Sequence, residues 1–178
     1  MQRNLILLAA VVAVCGAVAS LADGATTAKQ EMAGVNYLIG TWNCTHTVGT
    51  FSGTYTTSYA KVLGGLWLKQ TYDFPPRQMG ENAEAVQAEY LMGYDERRQG
   101  WVRFGGMSNG QYFAIRMTPT GEGGWSWKYI SFFKRQTPET PDSDAMLLKK
   151  SASEYAVEGP SYEENGKPVT EHHVCKKL

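Results

Sequence analysis

The chain has 178 residues, 17 of them basic and 17 acidic, and a formal net charge of +0 at pH 7. This length suits one domain with a single sizeable core. The balanced charge excludes a basic nucleic-acid-binding surface and an acidic tail, so nucleic acid is not expected as a partner.

Residues 1–22 have the pattern of a cleaved signal peptide. Arg3 supplies the positive charge of a short polar region, and the following residues 5–19 are apolar apart from one glycine. Small residues then precede two candidate cleavage sites, after Ala19 and after Ala22. We therefore expect a secreted or periplasmic protein.

Two other interpretations of the N-terminus are weaker. The apolar run barely reaches the ~18–20 residues that span a bilayer, and no positive cluster follows it, which argues against a membrane anchor. A lipoprotein anchor would use Cys15, but a branched valine stands where such sites favour glycine or alanine. We expect no stable membrane insertion after cleavage, and a single domain over residues 23–178.

Cys44 and Cys175 are the two cysteines that remain once the signal peptide is removed. An even number of cysteines in an exported chain predicts one disulfide between them. The alternative is a pair of unrelated buried thiols.

Residues 41–177 have the composition of β-structure, with many Thr, Tyr, Val and aromatic residues and with glycines at regular intervals. Because long helical periodicity is absent, the pattern predicts an all-β protein, an antiparallel meander β-barrel of about 8–10 strands. A short helix or turn within residues 23–39 is expected to plug one end. The predicted strands are 41–48, 54–63, 66–74, 85–94, 101–107, 111–118, 125–135, 146–151, 154–158 and 168–177.

Two longer connections, 75–80 and 136–143, interrupt this meander. Long loops of a barrel often border its mouth, where they contribute to binding. Solvated spacers are the alternative interpretation.

Asn109 and Gly110 predict a two-residue hairpin turn, because both residue types tolerate positive φ. Such a turn pairs Ser108 with Gln111 and directs one face of both strands inward. That face carries Val102, Phe104, Gly106, Phe113, Ile115 and Met117. The other face pairs Arg103 with Arg116, and like charges directly opposite each other are unfavourable. We therefore expect both arginines to point to water; reversed faces would make them an internal anion clamp.

A second hairpin at Gly64 and Gly65 predicts another inward face, formed by Tyr55, Tyr59, Leu63, Leu66, Leu68, Tyr72 and Phe74. Lys61 and Gln70 fall on the same face, and Lys61 is expected near a rim where its ammonium reaches water. Along the seventh predicted strand, Trp125, Trp127, Tyr129 and Phe133 form a further aromatic stripe. These stripes indicate either plain core packing or an aromatic-lined cavity suited to small, flat or apolar ligands.

The first and last strands are expected to be antiparallel neighbours that close the barrel. If Cys44 opposes Cys175, then Trp42 opposes Lys177, which allows a cation–π contact. In the same register His46 opposes His173. Two facing imidazoles are a candidate site for a metal, haem iron or a proton-sensitive ligand. The alternative is that one histidine faces solvent and the other is a hydrogen-bonded wall residue. No acidic side chain is clearly placed as a third ligand, so no metal is predicted.

Three segments in a fixed order carry a family resemblance: 38–42 (Leu-Ile-Gly-Thr-Trp), 63–68 (Leu-Gly-Gly-Leu-Trp-Leu), and 92–95 (Met-Gly-Tyr-Asp) followed by Trp101. In this order they resemble a calycin-like, lipocalin-related group of bacterial exported domains. The resemblance implies an antiparallel barrel related to lipocalins and fatty-acid-binding proteins, and it implies no agreed activity.

The chain is also distantly similar to nitrobindin-type haem barrels. That similarity implies a haem-ligating histidine, for which His172 or His173 is the candidate. Those barrels carry glycines after the tryptophan of the first strand, whereas this chain has Asn43, Cys44 and Thr45 there. No cofactor is therefore predicted.

A phosphate-binding loop and a zinc-ligand spacing are absent from the sequence. The sequence therefore favours an exported barrel that binds a small apolar or aromatic molecule, with no defined reaction. The alternatives are a haem or metal barrel with redox or isomerase-like chemistry, and a structural or interaction protein. The candidate ligand-binding residues are Trp42, His46, Tyr59, Tyr72, Phe104, Phe113, Trp127, Tyr129 and His173.

Overall fold

A computed structural model describes residues 21–76, 84–120, 124–132, 145–164 and 167–178. Within these ranges, the side chains of residues 21–27, 127–132 and 160–168 are not described. Residues 1–20, which hold most of the predicted signal peptide, lie outside the described ranges, and so do most residues of the two long connections.

The described chain consists of one α-helix, two short 3₁₀ helices and ten strands. Helix α1 is Leu21–Gly34, and the 3₁₀ helices are Asn36–Leu38 and Leu63–Gly65. The strands are β1 (Gly40–Val48), β2 (Phe51–Val62), β3 (Trp67–Phe74), β4 (Val86–Asp95), β5 (Gly100–Met107), β6 (Tyr112–Pro119), β7 (Trp125–Phe132), β8 (Ala145–Lys149), β9 (Glu154–Glu164) and β10 (Lys167–Lys177). Each strand pairs antiparallel with the next, and β10 pairs with β1 to close the barrel. The predicted all-β meander barrel with a short N-terminal helix is confirmed.

Alternation along each strand separates the interior of the barrel from its surface. In β1, Trp42, Cys44 and His46 are buried, whereas the intervening Thr41 and Asn43 are exposed. The largest fully buried side chains are Trp42, Trp101, Tyr155, Met32, Leu38, Leu68, Met92, Ile115 and Met117. The core is therefore built from inward-facing side chains of most strands, together with side chains of the N-terminal helices.

The seam between β1 and β10 has the predicted register. Cys44 pairs with Cys175, and their sulfurs form a disulfide across a sequence separation of 131. His46 pairs with His173 in the same ladder. The disulfide, predicted from cysteine number alone, thus joins the first and last strands directly.

One end of the barrel is plugged by α1 and the 3₁₀ helix after it. Met32, Val35 and Leu38 are buried there, with relative exposures of 2%, 0% and 0%. The indole Nε1 of Trp42 donates a hydrogen bond to the Leu38 carbonyl at 2.7 Å. This end, called the plugged end below, is sealed by packed apolar side chains.

The predicted contact between Lys177 and Trp42 is present at the plugged end. The Lys177 ammonium lies 5.3 Å from the centre of the Trp42 ring and donates a hydrogen bond to the Tyr37 carbonyl at 3.1 Å. The lysine therefore ties the last strand to both the first strand and the plug.

The register predicted for the β5–β6 hairpin is wrong by one residue. Met107 and Gln111 close the turn, with a hydrogen bond of 2.8 Å from Met107 N to Gln111 O, so three residues form the loop. Gly110 occupies the left-handed region at φ 80°. A three-residue loop with glycine at that position shifts the pairing by one residue relative to a two-residue turn.

This shift exchanges the two faces of β5, because side chains alternate with a period of two. Arg103 now pairs with Ile115 and faces inward, and Phe104 pairs with Ala114 and faces outward, 42% exposed. Phe104 is therefore not an interior residue as predicted. Arg116 is exposed, as expected, so the two arginines do not form a pair.

The β2–β3 hairpin has the predicted register, with Lys61 opposite Leu68 and Tyr59 opposite Gln70. Lys61 is exposed, in agreement with a position near the rim. Beyond the ends of the strands the inward prediction does not hold, because Leu63 is 66% exposed and Leu66 is 37% exposed.

Candidate functional site

The end of the barrel opposite the plug is called the mouth below. β1 ends there at Val48 and β2 begins at Phe51, while β3 ends at Phe74 and β4 begins at Val86. The inward side chains near this end combine charged groups with aromatic rings. They are His46, Tyr55, Tyr72, Phe74, Tyr90, Arg103, Phe113, Glu171 and His173, and we call them the mouth site.

Glu171 lies between the two seam histidines. Its Oε1 is 2.9 Å from Nε2 of His46 and 2.8 Å from Nε2 of His173. The two imidazole rings stack with their centres 4.5 Å apart and their planes 15° apart. The hydroxyl of Tyr55 is 2.8 Å from Nδ1 of His173. His173 therefore has both ring nitrogens within hydrogen-bonding distance of a partner.

Glu171 faces the interior at an irregularity in the β9–β10 pairing. The ladder is regular up to Thr170, which pairs with Ser161, and resumes at His172, which pairs with Glu158. Two residues of β9, Gly159 and its neighbouring proline, thus oppose Glu171 alone, which is the arrangement of a β-bulge. Proline lacks the N–H that a regular ladder requires, so it is compatible with this position.

Gly159 leaves room for the Glu171 side chain. A Cβ atom built on Gly159 would lie 2.6 Å from Glu171 Cβ and 3.1 Å from its Oε2. Any larger residue at this position would displace the carboxylate from the histidines. The bulge and the glycine together position the acidic group.

The electrostatics of the three groups favour an ionised carboxylate. Burial alone raises the pKa of Glu171, but the hydrogen bond with His173 and the close contact with His46 outweigh burial and lower the pKa well below its usual range. The interaction with His46 is less regular, since its Nε2 lies close to Oε1 without the alignment of a good hydrogen bond. We regard that contact as mainly electrostatic.

Arg103 lies on the opposite wall in a cage of aromatic rings. Its guanidinium carbon is 4.5 Å from the centre of the Tyr90 ring, 4.9 Å from that of Phe113 and 5.6 Å from that of Tyr72. Its Nη2 also donates a hydrogen bond to the Tyr72 hydroxyl at 2.8 Å. Cation–π contacts of this kind hold a guanidinium in a defined orientation.

Aromatic rings connect the two charged groups of the mouth site. Tyr55, the partner of His173, lies 5.5 Å from Tyr72 and 4.7 Å from Phe74, measured between ring centres. Tyr72 is in turn the partner of Arg103. The mouth site is thus a continuous aromatic wall with an acidic and imidazole cluster on one side and a guanidinium on the other.

Below the mouth site, the interior contains a buried hydrogen-bonded network. Gln70 donates to the hydroxyls of Tyr59, at 2.5 Å, and Thr57, at 3.2 Å. The Tyr59 and Tyr155 hydroxyls are 3.3 Å apart. Burial raises the pKa of both tyrosines well above the usual value, so they act as neutral donors and acceptors.

The structure brings only some of the predicted binding residues together. His46, His173, Tyr72 and Phe113 belong to the mouth site, whereas Tyr59 lies in the network below it. Trp42 is fully buried and bonded to the plug, which removes it from the mouth. The register places Trp127 opposite Met117 and Tyr129 opposite Ile115, but the side chains of these two aromatic residues are not described.

Three important residues of the site were absent from the predicted set. Glu171 was detectable, because it lies two residues before His173 and therefore shares its face. Tyr55 was predicted to face inward but was given no role. Arg103 was placed on the wrong face, because the turn was counted as two residues.

The arrangement does not fit a haem bound through the seam histidines. An axial ligand requires a ring nitrogen that faces open space. Both nitrogens of His173 are within reach of Tyr55 and Glu171, and the ring of His46 is stacked against that of His173. We derive no haem chemistry from this site.

Fold and site together define an antiparallel ten-stranded barrel with a charged aromatic mouth. The sequence matches no protein-family model and no curated protein. A solved structure of a redesigned β-barrel is similar to this chain with a TM-score of 0.40 and 8% identity, covering 82% of this chain and 95% of that one. The closed strand pairing, and not this likeness, defines the fold. Among the residues described, no helix has the length and apolar character required to cross a membrane.

Proposed function

We propose that this protein is an exported barrel that binds a small aromatic or apolar molecule at its mouth. One observation carries the proposal: four of the nine inward-facing side chains of the mouth site remain partly exposed, whereas the plugged end is sealed. The Glu171 side chain is 30% exposed, and Tyr72 and Arg103 are half-buried. Trp42, by contrast, is 0% exposed. Solvent, and hence a ligand, can therefore approach the interior from one end.

The composition of the mouth site supports a ligand with a flat apolar body and one acceptor group. Binding sites for small molecules are mostly apolar and aromatic, with a few polar groups that fix orientation. Tyr55, Tyr72 and Phe74 supply adjacent ring faces. Arg103 carries only donors, so the ligand atom facing it would be a carbonyl, carboxylate or similar oxygen.

Export is the setting that we propose for this activity. The disulfide between Cys44 and Cys175 is favoured in an oxidising compartment, which fits a secreted or periplasmic location. A calycin-like relationship would also fit a binding barrel, and it stays a prediction. No defined reaction is proposed.

The proposal is tested by looking for the ligand directly. Mature protein purified without denaturant would be examined by native mass spectrometry, and bound molecules would be extracted and identified. In parallel, an anionic naphthalene fluorophore would be titrated into the protein and displaced by candidate aromatic acids. We expect a copurifying molecule or saturable binding of the fluorophore.

Arg103→Met is the informative variant, and Arg116→Met is its matched control, because Arg116 is exposed on the outer face of the neighbouring strand. We expect Arg103→Met to weaken binding of the fluorophore roughly tenfold or more, since a hydrogen bond to a charged group contributes about 1.5–3 kcal/mol. Arg116→Met should bind like the wild type. Equal effects of both substitutions, or no bound molecule and no fluorophore binding, would contradict the proposal.

A further inference from the structure

We propose that His46, Glu171 and His173 form a binding site for a divalent transition metal ion, with zinc the ion best matched to the donor set. The inference rests on the geometry of these three side chains and does not depend on the aromatic ligand proposed above. The sequence alone suggested two histidines and no third ligand. The structure supplies the third, a carboxylate.

The spacing of the donor atoms fits one shared ion. One donor atom from each residue lies within 4.8 Å of the others. Glu171 Oε1 is 2.8 Å and 2.9 Å from the two histidine Nε2 atoms. Ligands that each bind zinc at about 2.0–2.2 Å lie roughly 3.0–3.6 Å from one another. A small outward rotation of the side chains therefore makes room for an ion between the three donor atoms.

His46 provides a second, independent observation. His46 is only 8% exposed, and neither of its ring nitrogens has a hydrogen-bond partner among the described residues. Leaving a buried polar group without a partner is costly, and native structures rarely do so without a reason. A metal ion bound to Nε2 would satisfy the nitrogen that now only approaches Glu171.

The surroundings of His173 prepare it to bind an ion. When an imidazole binds metal through one nitrogen, the other usually donates a hydrogen bond that fixes the ring. Nδ1 of His173 is 2.8 Å from the Tyr55 hydroxyl, so Nε2, which faces Glu171, is the nitrogen that would bind the ion. Both histidines lie two residues from the Cys44–Cys175 disulfide on paired strands, which makes their backbone rigid.

The donor types select the class of metal. Two imidazoles and one carboxylate suit zinc, copper(II), nickel or iron(II), whereas magnesium and calcium prefer sites made of oxygen atoms. The partly exposed Glu171 lies on the side of the mouth, so an open coordination position would face the mouth. Water, or a donor atom of a bound molecule, would fill that position.

The experiment is a calorimetric titration of zinc sulfate into the mature protein, prepared without a polyhistidine tag and freed of metal with EDTA. We expect saturable binding with one ion per chain, and no binding of magnesium under the same conditions. Cobalt(II) serves as a spectroscopic probe, because ligation by imidazole nitrogen produces visible absorption bands. Absence of saturable zinc binding by the folded wild type would overturn the proposal.

Three variants assign the site. The chain has three histidines, and the exposed His172 is the control for His173. We expect His173→Ala and Glu171→Gln to weaken zinc binding more than about 10-fold, and Tyr55→Phe to weaken it about 10–100-fold through loss of ring orientation. His172→Ala should bind zinc like the wild type.

Circular dichroism checks that each variant is folded. If His173→Ala does not fold, Glu171→Gln still tests the site, because glutamine has nearly the same volume as glutamate. Unchanged affinity in Glu171→Gln, or an equal loss in His172→Ala, would overturn the assignment. Titration of the naphthalene fluorophore into metal-free protein reports on the proposed aromatic ligand separately. Failure of one proposal is therefore distinguishable from failure of the other.

Discussion

Single residues determine the chemistry of the mouth, and two glycines leave the space that the neighbouring side chains occupy. Gly159 provides the space that lets Glu171 reach two histidines, and a Cβ atom there would lie 2.6 Å from Glu171 Cβ. On the opposite wall Gly105 leaves room for Tyr90, one of the rings around Arg103, because a Cβ atom there would lie 2.5 Å from Tyr90 Cδ1. At both positions the missing side chain is a steric requirement of the neighbouring group.

Gly105→Ala is expected to destabilise the protein by about 1–3 kcal/mol or more, because overpacking forces the backbone to shift. Its Cβ atom would lie 2.7 Å from Tyr90 Cα and would overlap the carbonyl oxygen of Glu89. The measurement is equilibrium unfolding in urea, followed by fluorescence.

Gly106→Ala is the matched control for this prediction. Gly106 adjoins Gly105 in the same strand, but the nearest atom to its added Cβ would be the Gln111 carbonyl oxygen at 3.6 Å, an ordinary contact. We expect Gly106→Ala to unfold within about 0.5 kcal/mol of the wild type. If both variants unfold alike, the steric explanation is wrong.

At the scale of elements, turn length matters more than strand composition. The β5–β6 loop contains three residues, and this one extra residue moves Arg103 to the interior and Phe104 to the surface. The β2–β3 hairpin kept its predicted register, and its inward residues were assigned correctly within the strands. A hairpin count therefore predicts the faces of both strands reliably only when the length of the turn between them is known.

The pairing of β1 with β10 is the element-level feature that carries the largest expected effect on stability. The disulfide closes a loop with a sequence separation of 131. The chain-entropy model gives about 5 kcal/mol for a loop of this size, and measured values are often smaller. We expect Cys44→Ala/Cys175→Ala to unfold at clearly lower urea concentration than the oxidised wild type.

Reduced wild-type protein is the control for this double variant, because it lacks the bond and keeps both sulfur atoms. It should resemble the variant in its free energy of unfolding. A double variant as stable as the oxidised protein would show that the barrel closes without help from the disulfide.

At the scale of the whole molecule, the barrel has one sealed and one accessible end. The N-terminal helices close the plugged end with Met32, Val35 and Leu38. The mouth retains partly exposed inward groups, of which Glu171 is the clearest. This difference between the two ends follows from the order of the chain, since the segment before β1 lies at the end where β1 begins.

Leu38→Ala tests the plug. Leu38 is fully buried, so its truncation should destabilise the protein by about 2–5 kcal/mol through lost contacts and a cavity. Asn36→Ala, at an exposed position of the same 3₁₀ helix, is the control and should have little effect. Thermal unfolding followed by circular dichroism measures both. Equal midpoints for the two variants would mean that the plug does not contribute to the core.

Much of the architecture was predictable from the sequence. Alternating residues and regular glycines predicted ten strands near their observed positions, and the cysteine pair predicted the seam with its register of Cys44 with Cys175 and His46 with His173. These features are local or depend on one long-range pair, so a simple count recovers them. The site was predicted only in part, because Trp42 packs against the plug and Phe104 lies on the outer surface of the barrel.

By itself, the sequence determined that this chain forms a closed antiparallel barrel joined at its ends by a disulfide, because strand alternation and cysteine number are properties of single segments. Only the tertiary structure decided which charged groups face the interior. The bulge opposite Glu171 and the three-residue turn after Arg103 each depend on how two strands pair. A shift of one residue in such pairing exchanges the interior and surface faces of a strand.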